Sequence, residues 1–362
     1  LSMDPLFGWR GLSLDVARSF FGVLDVELVL DLMASLKLNV MHLHLSDDQG
    51  WRIEVPGWPQ LTELSGPTAV DGNPGGHFGR ADWDRLVAHA HRLGIAVVPE
   101  IDVPGHVNAA LHAVPGLNPT GVAAPPYGGI DVGFSTLSPA AAEIGRFLQE
   151  VLGYACELSG GWVHIGGDES HAIGHDDYLS MVKQAVAIVH RRGCRVVAWQ
   201  EAAEALEPGD IVQVWDERLD FGQVRAAAER GVRVLLSPAT RVYLDQKYHE
   251  AFPLGLSWAG TFDLREAFEW DPFEIVADIE RDSVIGIEAC LWTETIRSTH
   301  DLTMMLLPRL AAVAEIAWRG SGVGRWDSFV NDVTALSRGW DARRIAWYRS
   351  PGIDWAGPDP IR

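Results

Sequence analysis

The segment Trp162-Val-His-Ile-Gly-Gly-Asp-Glu169 runs from a short apolar strand into two glycines and then two adjacent carboxylates. Gly166 and Gly167 remove side chains where a ligand or a neighbouring backbone would approach. Helical patterns flank the segment, Ala140 to Leu158 before it and Tyr178 to Arg192 after it. Helix, buried strand, polar strand end and helix again make the βα unit, and the unit recurs along the chain. The strands expected are Leu12 to Val16, Val40 to Leu45, Ile95 to Ile101, Trp162 to Ile165, Arg195 to Trp199, Ile211 to Trp215, Val232 to Leu236 and Val284 to Ala289. Further helices are expected at Leu24 to Leu36, Trp83 to Leu93, Gly222 to Arg230 and Thr303 to Ala317. These alternations predict an α/β fold, a (β/α)8 TIM barrel forming a single catalytic domain over residues 1–320. Residues 321–362 read as a C-terminal helix, Asp327 to Leu336, and a Trp- and Pro-containing tail packed on the barrel.

A barrel keeps its chemistry where its strands end, and the loops at 46–80 and 102–138 are long and rich in Gly and Pro. An Asp capping the next helix beside a solvated Glu would account for residues 168 and 169 alone. It would not account for four other strands that deliver polar groups at the same end. Strand one ends at Arg18, strand two at Ser46-Asp-Asp48, strand three at Glu100-Ile-Asp102-Val-Pro-Gly-His106 and strand eight at Trp292-Thr-Glu294. Two carboxylates in different environments are the equipment of glycoside hydrolysis. Adjacent residues on extended backbone point to different sides, so Asp168 and Glu169 are not expected to straddle a sugar. The simpler arrangement makes Glu169 the acid and uses Asp168 to orient a nucleophile carried by the substrate, such as a 2-acetamido group.

Composition narrows the partners. The 362 residues carry 29 Lys and Arg against 49 Asp and Glu, a formal charge of -20, which argues against nucleic acid or anionic membrane as a partner. The longest apolar stretches are of strand length, short of the roughly 20 residues that cross a bilayer. The N-terminal residues lack a basic-then-apolar leader, so either a cytoplasmic chain or a processed secreted one is expected, the former weakly favoured. Cys156, Cys194 and Cys290 lack the spacing of a zinc or redox motif and read as structural or free thiols. Fifteen Trp alongside the acidic excess suggest an aromatic-lined, acidic pocket of the kind that holds sugars.

With these motifs in place, the sequence resembles the family 20 glycoside hydrolases, the β-N-acetylhexosaminidases. The resemblance is carried by Arg10 to Arg18, Leu43 to Arg52, Pro99 to His106 and His164 to Glu169. It continues through Trp199-Gln-Glu201, Gln213-Val-Trp215, Ser237 to Asp245, Leu256 to Gly260 and Gly286 to Glu294, covering roughly residues 8–320. It implies exo-acting removal of terminal β-linked GlcNAc or GalNAc by substrate-assisted retaining hydrolysis through an oxazolinium intermediate. Glu169 is then the general acid/base, Asp168 holds the acetamide N–H, and Tyr243 donates to its oxygen. Trp199, Trp215 and Trp292 wall the acetamide pocket, Arg18, Asp245 and Glu294 grip the sugar hydroxyls, and Trp258 faces the leaving group. Asp47, Asp102 and His106 support the acid. No metal or cofactor is implied, and the partners are N-acetylhexosamine-terminated oligosaccharides or glycoconjugates. Oligomeric state is left open.

Two other readings compete. His42 and His44 alternate on one strand and, with Asp102, His106 and Asp168, would suit a metal-dependent hydrolase; the family motif makes this His pair interior packing. A sugar-binding barrel without turnover would need no acid beside its orienting carboxylate. The chain departs from the family after Arg18, where Ser19-Phe-Phe21 stands in place of the usual His. It also reaches its first strand within about ten residues, so the α/β domain that precedes many such barrels is expected to be absent or cut away.

Overall fold

In the computed structural model, which describes residues 4–356, eight parallel strands close into a barrel in sequence order. They are β1 (Trp9–Asp15), β2 (Val40–His44), β3 (Ala96–Glu100), β4 (Trp162–His164), β5 (Arg195–Trp199), β6 (Ile211–Val214), β7 (Arg233–Leu236) and β8 (Val284–Leu291). β8 returns to pair with β1, so no edge is left open. The expected barrel is therefore the observed one. The regular part of strand four is shorter than expected and ends at His164, although backbone hydrogen bonds to both neighbours continue through Ile165 and Gly166.

Alternate side chains of each strand face opposite ways, and both directions are buried. Outward residues such as Leu12, Leu14, Met41, Leu43, Val163, Val196, Val212 and Val234 join the main core beneath the helices. Inward residues stack in layers. The lowest is an apolar plug of Trp9, Val40, Val98, Val197, Ile211 and Leu235. Above it sit His42, His164, Gln213 and Glu288 from the even strands, all buried and mutually hydrogen-bonded. Glu100 and Trp199 from odd strands lie above those, joined by a 3.1 Å hydrogen bond.

The surrounding helices include Val23–Ser35, Arg80–Arg92, Ile144–Leu158, His175–Arg191 and Gly222–Glu229. The helix expected from Ala140 begins only at Ile144, because Ser138 captures the amide of Ala140 and the carbonyl of Ser138 that of Ala141 in a local turn. The single helix expected over Thr303 to Ala317 is two, Thr299–Leu306 and Arg309–Arg319. Pro308 lacks the N–H that would continue the ladder and forces Leu307 into extended backbone, φ -107 and ψ 133.

Beyond Arg319 the helix Trp326–Ala342 runs further than Asp327 to Leu336, its apolar face continuing to Trp340. Phe329 stacks on Phe268 at 4.1 Å and Tyr348 on Tyr248 at 3.9 Å, while Trp340, Trp347 and Trp355 meet edge to face. Trp347 is buried, and its indole donates to Asp341. Trp347→Ala is expected to lower stability by about 3–5 kcal/mol, read as a lower urea midpoint.

Candidate active site

The two glycines set the site. Gly166 and Gly167 adopt φ +69 and +102, which an L side chain resists, and a Cβ on Gly166 would strike the Asp102 carboxylate. The backbone can therefore pass against Asp102, whose Oδ1 accepts from the Gly167 amide at 3.0 Å. Tyr178 donates to the Gly167 carbonyl from the other side at 2.6 Å. The chain then leaves the strand, with Glu169 itself at φ +44. Opposite orientations expected of extended neighbours do not arise: His106 Nε2 lies 3.5 Å from Asp168 and 3.3 Å from Glu169. The correction comes from those positive φ values, which turn both carboxylates toward one imidazole.

His106 is buried, and its Nδ1 donates to Asp47 at 3.2 Å. Asp47 also accepts from Arg18 at 2.9 Å, from His44 at 2.7 Å and from the Asp48 amide at 2.6 Å. Below it, His44 donates to Glu100 at 2.6 Å, and His42 bridges Glu100 and Glu288 at 2.8 and 2.9 Å. The two histidines considered as a metal pair are thus each held between two carboxylates. Burial alone would favour neutral rings, but the flanking carboxylates reverse it, raising His42 to about 9 and His44 and His106 well above the usual imidazole range. His164 shifts the other way, lowered by burial, in keeping with the Gly166 amide donating to its Nδ1 at 3.0 Å.

Burial and the adjacent Asp168 hold the Asp102 carboxyl protonated well above the usual carboxylate range. Burial opposes the charge on Asp168, but His106 and a hydrogen bond from Asp102 outweigh it and keep Asp168 below that range. As bare carboxylates, Asp102 Oδ2 and Asp168 Oδ1 would both be buried acceptors with no donor. One proton on Asp102 is the donor both lack.

These groups open into a cavity of about 530 Å³. Arg18, Asp47, Asp102, His106, Asp168 and Glu169 line it together with Trp215, Tyr243, Trp258, Trp292 and Glu294. Trp215 stacks on Tyr243 with rings 6.2 Å apart, and Trp258 meets both edge to face. Two expected lining residues are set back. Trp199 is buried beneath the floor, its indole engaged by Glu100 and its ring 5.9 Å from Trp292. Asp245 is also buried behind the wall, with Oδ2 accepting from Gln246 and Oδ1 unpartnered. Trp199 closes the inward layer of β5, and Asp245 sits where the β7 loop turns back to pair at Gln246, so neither side chain reaches the cavity surface.

Comparison with known proteins decides the family. The profile described as glycosyl hydrolase family 20, catalytic domain, matches residues 7–175 and 174–321. The chain belongs to glycosyl hydrolase family 20. It is 47% identical over 356 residues to a β-N-acetylhexosaminidase of Cellulomonas fimi, covering 98% of this chain and 72% of that protein. The solved family 20 β-N-acetylhexosaminidase of Streptomyces coelicolor superposes with a TM-score of 0.94 at 42% identity, over 97% of this chain and 72% of that one. The β-hexosaminidase of Streptomyces plicatus, in a mutant form with the product GlcNAc, matches as well: TM-score 0.94, 41% identity, and the same coverage of 97% and 72%.

As a family 20 member the protein is a glycoside hydrolase, and its site holds groups beyond those singled out in the sequence. Glu201, at the end of β5, accepts from the Trp215 indole at 3.1 Å and lies 3.5 Å from the Glu169 amide. Burial and Asp168 push its carboxyl up to about 8. Arg218 reaches the cavity from the β6 loop, paired with Asp216 and 5.3 Å over the Trp258 ring. Glu100, His164, Gln213 and Glu288 are polar residues at inward positions of otherwise apolar strands, a signal that was present in the sequence. Ser19, where the family motif has His, bonds Thr293 and receives Arg297 at 3.0 Å.

Burial and then Glu294 raise the Asp245 carboxyl from 3.8 to about 8. Between those values the folded protein holds a proton that the unfolded chain has released, so this group makes stability fall as pH rises from about 4 to 8. Asp245→Asn should flatten that decline, measured as melting temperature against pH.

Proposed function

We propose that this family 20 hydrolase is an exo-acting β-N-acetylhexosaminidase that removes terminal β-linked GlcNAc or GalNAc by substrate-assisted, retaining hydrolysis through an oxazolinium intermediate. One observation carries the reading. Asp47, Asp102, Asp168 and Glu169 gather around His106, whereas the wall contributed by the loops after β6 and β7 offers Trp215, Tyr243 and Trp258. A retaining enzyme with its own nucleophile sets a second carboxylate about 5–5.5 Å from the acid, flanking the scissile bond. Here the carboxylate that shares an imidazole with Glu169 is its sequence neighbour Asp168, so the nucleophile is best supplied by the substrate.

A 2-acetamido group suits the wall that remains. Asp168, held anionic, accepts the acetamide N–H, which turns the carbonyl oxygen toward the anomeric carbon and stabilises the positive charge as the ring closes. Tyr243, kept protonated far above its usual range by burial, donates to that oxygen. Trp215 and Trp292 exclude water from the intermediate. Glu169, a quarter exposed at the cavity, protonates the leaving oxygen and then activates water for the second step. His106, charged and tied to Asp47, stands beside it as the support for that exchange. Arg18 and Glu294 receive the sugar hydroxyls, the unpartnered Arg18 Nε being a free valence such a hydroxyl would fill, and Asp245 backs the wall behind them. Trp258, 41% exposed at the rim, offers its face to the leaving group. The substrates are N-acetylhexosamine-terminated oligosaccharides or glycoconjugates; the product GlcNAc bound to the Streptomyces plicatus relative agrees with this class.

Chromogenic β-GlcNAc and β-GalNAc glycosides should be cleaved and a β-glucoside left intact, with no loss in EDTA and with inhibition by a thiazoline mimic of the oxazolinium. Equal cleavage of the glucoside would contradict the substrate nucleophile. Glu169→Gln should cut kcat by roughly 10²–10⁴ with sugar binding little changed. Asp168→Asn should be crippled as well, and a near wild-type rate for it would refute the assignment.

A further inference from the structure

We propose that Asp102, His106 and Asp168 form a site for one divalent transition-metal ion, of which zinc is the probe of choice, and that its occupancy blocks the enzyme. Four sets of His and carboxylate side chains among the described residues bring three ligating atoms within 4.8 Å of one another. Three of the four are committed elsewhere. Two depend on Glu100, whose Oε2 already accepts from His42 and His44 and whose Oε1 accepts from Trp199, all under the cavity floor. The third depends on Asp47, which has four donors, and on Asp48, which accepts from Ser135 and the Asn108 amide.

The fourth set differs in having open valence and a route in. Asp102 Oδ2 and Asp168 Oδ1 are buried and make no hydrogen bond beyond the proton Asp102 can share, and His106 Nε2, also buried, has only the looser contacts to Glu169 at 3.3 Å and Asp168 Oδ2 at 3.5 Å. Asp102 and His106 are 1% and 2% exposed, yet all three residues line the cavity, so a hydrated ion can reach them from the mouth. A proton on Asp102 satisfies two of these atoms; a cation in its place satisfies all three. On binding, the protons of Asp102 and of His106 Nε2 leave to solvent, and the ion takes two carboxylate oxygens and one imidazole nitrogen. Water completes its coordination on the cavity side. One nitrogen and two oxygens suit zinc or copper, whereas calcium takes six to eight oxygens and magnesium keeps most of its water. Glu169 beside the site and the net charge of -20 favour a cation further.

The sign is the reverse of a metalloenzyme's. An ion on Asp168 removes the acceptor that the acetamide needs, so zinc excludes the sugar and a chelator restores activity. This inhibition rests on the function proposed above; the ion site itself does not. The test is calorimetric titration of the full chain, freed of metal, with zinc chloride, and with magnesium chloride as the control. One zinc per chain is expected, weakened at least about tenfold in Asp102→Asn and in His106→Gln, and opposed by saturating GlcNAc. Circular dichroism identifies which variant is folded, and either one suffices. Absence of zinc binding, or binding that survives both folded variants unchanged, overturns the site. Zinc binding lost in the variants but indifferent to GlcNAc, where GlcNAc itself binds, overturns the blockade; failure of GlcNAc to bind at all speaks against the proposed function and leaves the ion site standing.

Discussion

The barrel is filled with alternating charge. From its lower apolar plug upward, Glu288, His42, Glu100, His44, Asp47 and His106 form one hydrogen-bonded series that ends against Asp168 and Glu169. Each imidazolium of the series lies between carboxylates, and each carboxylate of the series meets at least one cation or indole donor. Desolvating such groups costs several kcal/mol apiece, and removing one partner leaves an uncompensated charge worth about 3–5 kcal/mol. The interior is consequently a poor place to gain stability but a strict one for geometry, because the groups are mutually satisfied in this arrangement.

That series reaches the cavity through Asp47, which is why a single aspartate orders so much. It fixes His106 on one side and Arg18 on the other, so the ring that faces Asp168 and Glu169 and the guanidinium that lines the cavity share an anchor. Arg18 is further steadied from outside. Arg52, fully buried, donates to the carbonyls of Val16, Ala17, Gly66, Thr68 and Gly76 and so ties the end of β1 to the loop after β2. On the opposite flank Arg309 donates to the carbonyls of Leu244 and Gln246, either side of Asp245. Tyr248, 3.7 Å from the Arg309 guanidinium, stacks on Tyr348 of the C-terminal segment. The tail therefore packs on the tyrosine that covers Arg309, the residue holding the chain on both sides of Asp245.

Charge and aromatic surface are largely separated around the cavity. Asp47, Asp102, Asp168 and Glu169 lie where β2, β3 and β4 end, the tryptophans where β6, β7 and β8 end together with Glu294, and the two sets meet at Trp292, beneath the Arg18 guanidinium at 5.0 Å. In the proposed function, a neutral, flat amide with one N–H and one carbonyl would sit at this boundary between an anion, a phenol and indole faces.

The amino-acid sequence by itself determined the barrel, because eight apolar runs bounded by polar ends leave a closed parallel sheet as the arrangement that buries them all. It also brought most of the cavity lining into view, since polar groups at the ends of successive strands must converge on one mouth. Its limits are physical. Periodicity cannot register that Pro308 divides one apolar helix into two, or that Ser138 holds the chain in a turn ahead of Ile144. Only the tertiary structure decided that Trp199 and Asp245 stand behind the cavity wall, since depth along a strand depends on the register with its neighbours. It alone showed that Asp168 and Glu169 face the same imidazole, because the positive φ of Gly166, Gly167 and Glu169 overrides the alternation of extended backbone. And the roles of Glu100, Glu288 and Glu201 emerged only in three dimensions: a buried charge is explained by its partners, and theirs lie tens to hundreds of residues away in the chain or, for Glu201, across a neighbouring loop.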